Sequence, residues 1–323
     1  MLRNLRLLTV VSRPEFLPAN SASLIIGLAW GFDRSMHAGG GLVIPFTLAF
    51  AVITLVSAFA AQVNTTFDFE LDLIDSRKKE LVQAMSRLGR KRLKSAMIAE
   101  FLLSLAFILI LFLIQEKPLL FVMWMIAVFL AYSYSAPPLR LKSRSWFALL
   151  TLLLVLSMLP ISFVFHTFAS GIEIPFLVFL CGHALTVYGV IIPAEIRDYF
   201  GDKMTNTETL TVRLGLVKAS LLSIVLLGTG GILCGTAFLA RMLYGLQHVL
   251  LFSLPVMVVV YIYVLAKYSS LYRLSWEYAV SGGQISIAQD IMELSAYCPR
   301  WITLITQSIV LMSLVLLTTK LFL

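Results

Sequence analysis

Nine stretches of about 20 mainly apolar residues divide this chain, and few folds are open to such a sequence. They lie at approximately 16–33, 41–63, 96–115, 118–135, 146–168, 174–196, 216–239, 244–267 and 301–320. In a bilayer every backbone N–H and C=O must be satisfied within the protein, so the expected elements are helices, not an open sheet. The fold class is therefore all-α: a polytopic membrane protein of nine transmembrane helices. Composition agrees, with 59% hydrophobic and 13% charged residues against about 25% charged in soluble domains. One domain is expected over residues 1–323.

The net charge of +8 does not call for nucleic acid, because the basic residues sit in short segments between apolar runs. With the N-terminus inside, 21 of the 25 Lys and Arg fall on the inner side and only Arg34, Lys117, Arg241 and Lys320 on the outer. This bias predicts a cytoplasmic N-terminus, an external C-terminus and residence in the cell membrane. No cleavable signal peptide is evident. The cysteines, Cys181, Cys234 and Cys298, lack metal-finger spacing, and the first two lie inside apolar runs as small hydrophobes. The longer polar connections follow the second and sixth runs, and a long inner segment at about 268–300 follows the eighth. There Ser281-Gly-Gly283 should break any helix, and 285–297 has the mixed character of an interfacial segment.

The second run ends in Asn64-Thr-Thr-Phe-Asp68-Phe-Glu-Leu-Asp72-Leu-Ile-Asp75 (motif one, 64–75). On a helix Asn64, Asp68, Asp72 and Asp75 fall at about 0°, 40°, 80° and 20°, a single face, whereas Glu70 lies about 240° away. That much negative charge on one face needs a cation. The sixth run ends in a second cluster (motif two, 195–203), where Glu195, Asp198 and Asp202 share a face at about 0°, −60° and −20°. Pro193 precedes it and could kink the helix; Gly201 and the polar run 205–209 should end it. Asp68 to Asp198 and Asp72 to Asp202 are both 130 residues apart, and each cluster follows the second helix of a four-helix set. The chain reads as two four-helix halves plus a ninth helix around a central cavity. Two opposed acidic faces suit Mg²⁺ carrying a diphosphate, since Mg²⁺ takes carboxylate and phosphate oxygens together. An apolar cavity would protect a carbocation left when an allylic diphosphate ionises.

These features resemble the UbiA-type intramembrane prenyltransferases, whose hallmarks are N-x-x-x-D-x-x-x-D after the second helix and D-x-x-x-D after the sixth. Tyr134-Ser-Ala-Pro-Pro-Leu-Arg140-Leu-Lys142, Gly201-Asp202 with Thr209-Leu and Arg213-Leu-Gly215, and Ser12-Arg13-Pro14 are also similar to family segments. The resemblance implies transfer of a prenyl group from a prenyl diphosphate to a lipophilic or aromatic acceptor, with Mg²⁺. By position it implies metal binding by Asp68 and Asp72 and by Asp198 and Asp202, with Asn64 orienting the first site. Arg140, Lys142 and Lys203 become candidates for the diphosphate, and Tyr134 and Tyr199 for phosphate or cation contact. Two departures stand out: Arg77-Lys-Lys-Glu-Leu81 replaces an Arg-Pro-Leu element, and Glu195 stands where many members have Asp.

Other readings are weaker. Arg87 to Lys94 is a topological and lipid-facing charge run, which leaves Arg77 to Lys79 as possible phosphate ligands. Asp75 is a secondary site candidate and Glu70 falls outside the site. Glu100 lies inside an apolar run, where an acid is a functional candidate by default and a structural hydrogen bond is an equal alternative. His166 and His183 also lie in apolar runs, with hydrogen bonding or packing as the simplest roles. A phospholipid head-group transferase would need a denser acidic motif with Asp-Gly and Ala-Arg. A cation-linked transporter would place its acids near the midplane.

Overall fold

The computed structural model describes residues 2–33, 41–73, 78–204, 209–245 and 250–322. Among them there are helices and no strand. In chain order these are α1 (Leu2–Val11), α2 (Leu17–Gly31), α3 (Val43–Asp72), α4 (Lys79–Leu88), α5 (Arg90–Gln115), α6 (Pro118–Ser135), α7 (Ser145–Leu153), α8 (Leu159–Phe168), α9 (Ile174–Met204), α10 (Leu210–Leu214), α11 (Leu216–Gly245), α12 (Leu250–Val280), α13 (Ile285–Ser295) and α14 (Cys298–Phe322). A π turn, Leu154–Met158, joins α7 to α8 into one rod.

Eight segments among the described residues are long and apolar enough to cross a bilayer, α7–α8 counting once. The ninth expected crossing, α2, is helical but only 15 residues long. With the 3-10 turn Pro14–Phe16 that leads into it, the segment runs from Ser12, which Gln62 contacts at 2.8 Å just before motif one, to Trp30 at the far end of the bundle. Its role is central packing, since nine of its residues are buried. It also crosses the expected boundary between halves: Ile26 and Trp30 belong to the same buried cluster as Phe179, Phe238 and Trp301, and Trp30 stacks on Phe179 at 4.8 Å. Lipid-like exteriors are visible on the long helices, where Leu113, Ile174, Phe252 and Val259 are exposed.

Helices in a bilayer gain little from burying apolar surface against each other, so close packing carries the association. Small residues make it possible here. A Cβ added to Gly27 would lie 2.5 Å from Val164 Cβ on α8. One added to Gly230 of α11 would meet Thr186 Oγ1 at 2.4 Å and the Gly182 carbonyl at 2.6 Å on α9.

α3 and α9 run on past the predicted ends of their apolar runs. At 30 and 31 residues they reach about 45 Å, more than a hydrocarbon core needs. Their last turns, which carry the two motifs, therefore project beyond it. α9 continues unbroken through Pro193 and Gly201, and Thr209 caps the next helix by accepting from the Val212 N–H at 3.3 Å. The predicted break at 281–283 holds: α12 ends at Val280, Gly282 and Gly283 take φ of 72° and 94°, and α13 follows with Ile291 buried beside α9 and α12 residues.

The basic residues predicted for the outer side have specific work at the end remote from the motifs. Lys117 Nζ donates to the carbonyls of His166 and Ala169, both at 2.8 Å, at the C-terminus of α8. Lys320 Nζ donates to Trp30 O at 2.8 Å and Phe32 O at 3.2 Å at the C-terminus of α2. Arg241 pairs with Glu173 at 2.5 Å. Arg34 lies outside the described residues. Helix C-termini leave carbonyls without partners, and a lysine there satisfies them and meets the dipole. Lys320→Met should thus cost about 2 kcal/mol of stability, seen as a lower thermal unfolding midpoint of the detergent-solubilised protein. An unchanged midpoint would show that the cap contributes nothing.

Candidate functional site

Motif one is helical through Asp72, so Asn64, Asp68 and Asp72 share the predicted face. Asp68 and Asp72 are buried, at 8% and 4% exposure, while Glu70 is exposed. Buried carboxylates need partners, and each has a lysine. Lys142, on the 3-10 turn Leu141–Ser143 after α6, pairs with Asp68. Lys78, just before α4, pairs with Asp72 at 2.5 Å. The Lys142 ammonium sits below the ordinary lysine pKa, chiefly because burial penalises its charge, with Asp68 opposing that effect. Asn64 accepts a hydrogen bond from Ser135 Oγ at 2.8 Å, which ties α3 to the end of α6. Asp75 and Arg77 lie outside the described residues.

Motif two occupies the last turns of α9. Asp198 takes a two-point contact from Arg197, Nε to Oδ1 at 3.0 Å and Nη2 to Oδ2 at 3.2 Å. Glu195 accepts from Thr211 Oγ1 at 2.8 Å, so the residue that departs from the family pattern anchors α10 to α9. Asp198 and Asp202 both lie within electrostatic range of Glu195. Tyr134 on α6 lies within electrostatic range of both Asp68 and Glu195, so the two motifs come to the same end of the bundle.

The remaining predicted residues are scattered. Arg140, at φ 37°, is exposed and close enough to Lys142 to act on its charge. Lys203 is exposed and lies over the Tyr199 ring at 5.8 Å. Tyr199 is buried in an apolar cluster with Ile192, Ile196 and Leu210. Glu100 finds the partner the sequence did not reveal, accepting from Gln62 Nε2 at 2.5 Å. His183 Nδ1 is 2.7 Å from Ser157 Oγ. His166 sits at the remote end beside Lys117. Ser135, Lys78 and Thr211 are the contacts sequence reasoning missed or left unspecified. Ser135 and Lys78 lie in segments the sequence had marked, but nothing in the sequence paired them with Asn64 and Asp72.

An apolar cavity of about 230 Å³ opens next to motif one. Its wall on α3 runs from Val52 to Asn64, twelve residues or about 18 Å of helix. Met123, Trp124, Leu130, Val155, Leu156 and Phe163 supply much of the rest, and Asn64 and Tyr134 mark the end toward the carboxylates. The cavity lies between α2, α3, α6 and α7–α8, to one side of the bundle.

Among the described residues no three His, Cys, Asp or Glu side chains form a closed metal site. The chemistry of the donors nevertheless fits Mg²⁺, which uses one or two carboxylates and completes its shell with phosphate oxygens and waters. Asp68 and Asp72 are hard oxygen donors one turn apart, and each faces a lysine ammonium.

The profile of the UbiA prenyltransferase family matches residues 24–280. A UbiA homolog from Archaeoglobus fulgidus, solved with GPP and Mg²⁺, superposes with a TM-score of 0.65 at 18% identity, covering 93% of this chain and 99% of that one. A second structure of that homolog, bound to DMAPP and Mg²⁺, gives 0.61 at 19% identity over 92% and 98% of the chains. A digeranylgeranylglyceryl phosphate synthase gives 0.63 at 16% identity over 96% and 98%. No curated protein sequence matches. At these identities the structural likeness speaks for the fold, and the profile spans most of the sequence, so this chain belongs to the UbiA prenyltransferase family.

Proposed function

We propose that this protein transfers a prenyl group from an allylic prenyl diphosphate to a lipophilic acceptor, with Mg²⁺, on the cytoplasmic side of the membrane. The observation that carries the reading is the pair of buried carboxylates, Asp68 and Asp72, placed with Asn64 at the end of an apolar cavity. Residues 1–323 would act as one domain.

In this reading Asp68 and Asp72 hold one Mg²⁺ and Asp198 and Asp202 the other. When bound, the ions take diphosphate oxygens as ligands and stabilise the charge of the leaving group. Asn64, held by Ser135, orients the first site. Lys142 and Lys78, each paired with one of these acids, are placed to donate to diphosphate oxygens. Arg140 adds positive charge beside Lys142. The cavity takes the hydrocarbon tail and excludes water from the allylic cation. The bond between the prenyl C1 and the diphosphate oxygen breaks with its electron pair on the oxygen. A nucleophilic atom of the acceptor then bonds to C1 and releases a proton. The inner-side excess of basic residues supports placing this chemistry at the cytoplasmic face. Neither the head-group transferase nor the transporter reading gains an observation from the fold.

The test uses membranes containing the full chain, labelled geranyl, farnesyl and geranylgeranyl diphosphates, and a panel of quinone-precursor, aromatic-acid and glycerol-phosphate lipid acceptors. A prenylated product that forms with Mg²⁺ and disappears with EDTA is expected. Substrate crossing a proteoliposome membrane without turnover would overturn the proposal.

A further inference from the structure

The rod from Ser145 to Phe168 is not a regular helix. At Leu154–Met158 it opens into a π turn, with the Leu159 N–H bonding the Leu154 carbonyl five residues back. Pro160 supplies a local cause. It has no N–H to give to the preceding turn, and its ring crowds the carbonyl of Leu156, so a wider turn relieves the clash. Such π turns are frequent at functional sites.

This one forms part of the cavity wall. Leu152, Val155, Leu156, Leu159 and Pro160 all line it. Ser157, in the same turn, does not: it is fully buried, and its hydroxyl meets His183 Nδ1 on α9 at 2.7 Å. His183 is itself 6% exposed, with the Phe179 ring 5.8 Å away. α9 is a firm mount, because Gly182 and Gly189 seat it so closely on α11 that an added Cβ would lie 2.8 Å from backbone nitrogens there. The extra residue of a π turn offsets everything before it by about 100° around the helix axis. Were the turn to relax to α geometry, Leu152 and Val155 would swing off the cavity wall.

We propose that the Ser157–His183 hydrogen bond holds this π turn in place and thereby sets which prenyl chain length the cavity accepts. His183 is a positioning residue: it acts through Ser157 and touches no substrate. The inference rests on the reading that the cavity takes the donor's tail.

The experiment measures binding of geranyl, farnesyl and geranylgeranyl S-thiolodiphosphates, with Mg²⁺, to the solubilised full chain. Inorganic diphosphate with Mg²⁺ serves as the head-group probe. Ser157→Ala and His183→Leu should change the ratio of affinities between chain lengths by about tenfold, the scale at which a pocket wall discriminates by a carbon or two. Affinity for inorganic diphosphate should stay as in the wild type. His183→Asn, whose side-chain oxygen can accept the Ser157 hydrogen bond, should retain the wild-type ratio. If the first two variants do not fold, Pro160→Ala removes the other cause of the turn and should shift the ratio alike. Equal loss at all lengths, an unchanged ratio, or a shift with His183→Asn as large as with His183→Leu would overturn the proposal alone. Wild-type protein that binds inorganic diphosphate but none of the three analogues would overturn the tail reading, and the proposal with it.

Discussion

Asp68→Asn should lower Mg²⁺-dependent consumption of prenyl diphosphate by about 10²–10³-fold, the range seen when one group stabilising transition-state charge is removed. The substitution keeps shape and one acceptor oxygen but removes the negative charge that would hold the metal. It also breaks a buried ion pair and leaves the Lys142 ammonium facing an amide. Removing one partner of such a pair typically costs about 3–5 kcal/mol, so instability alone could mimic a catalytic defect. The two causes separate in a cycle. Lys142→Met should lower the unfolding midpoint much as Asp68→Asn does. The double variant, with neither charge buried, should recover most of that stability. Its activity should stay as low as that of Asp68→Asn. Activity returning with stability in the double variant would remove Asp68 from the metal site.

Gly230→Val should have the largest effect on the fold. A single Cβ at this position would already lie 2.4 Å from Thr186 Oγ1, 2.6 Å from the Gly182 carbonyl and 2.7 Å from the Thr186 backbone nitrogen. Two of those atoms are backbone and cannot rotate away, so α9 and α11 would have to separate. Overpacking of this kind costs about 1–3 kcal/mol and sometimes more, and the two further methyls of valine place this site at the upper end. The solubilised variant should unfold at a clearly lower temperature. Activity per folded molecule should also fall, because α9 carries Asp198 and Asp202, the proposed second metal site. Gly228→Val is the matched control, since nothing lies within 4 Å of a Cβ there. Equal unfolding temperatures for the two variants would show that the α9–α11 contact is not the tight seam described.

The class of fold and the acidic half of the candidate site could be read from local sequence. Hydrocarbon forces each crossing to be a helix, and that rule acts on local apolar content. The 3.6-residue period then places Asn64, Asp68 and Asp72 on one face without reference to any other helix. The same local reasoning found the break at 281–283 and the exclusion of Glu70 from that face. Which partners those residues meet depends on how the helices pack. Ser135 is 71 residues from Asn64, Lys142 is 74 from Asp68, and Gln62 is 38 from Glu100. Such pairs depend on how far each helix is rotated about its axis, and periodicity within one helix does not fix that rotation. The same is true of α2, whose glycines seat it against α8. Pro160 was plain in the sequence, yet the π turn beside it also answers to His183 on another helix. The chain's chemistry was written locally, and the shape of its cavity was written by packing.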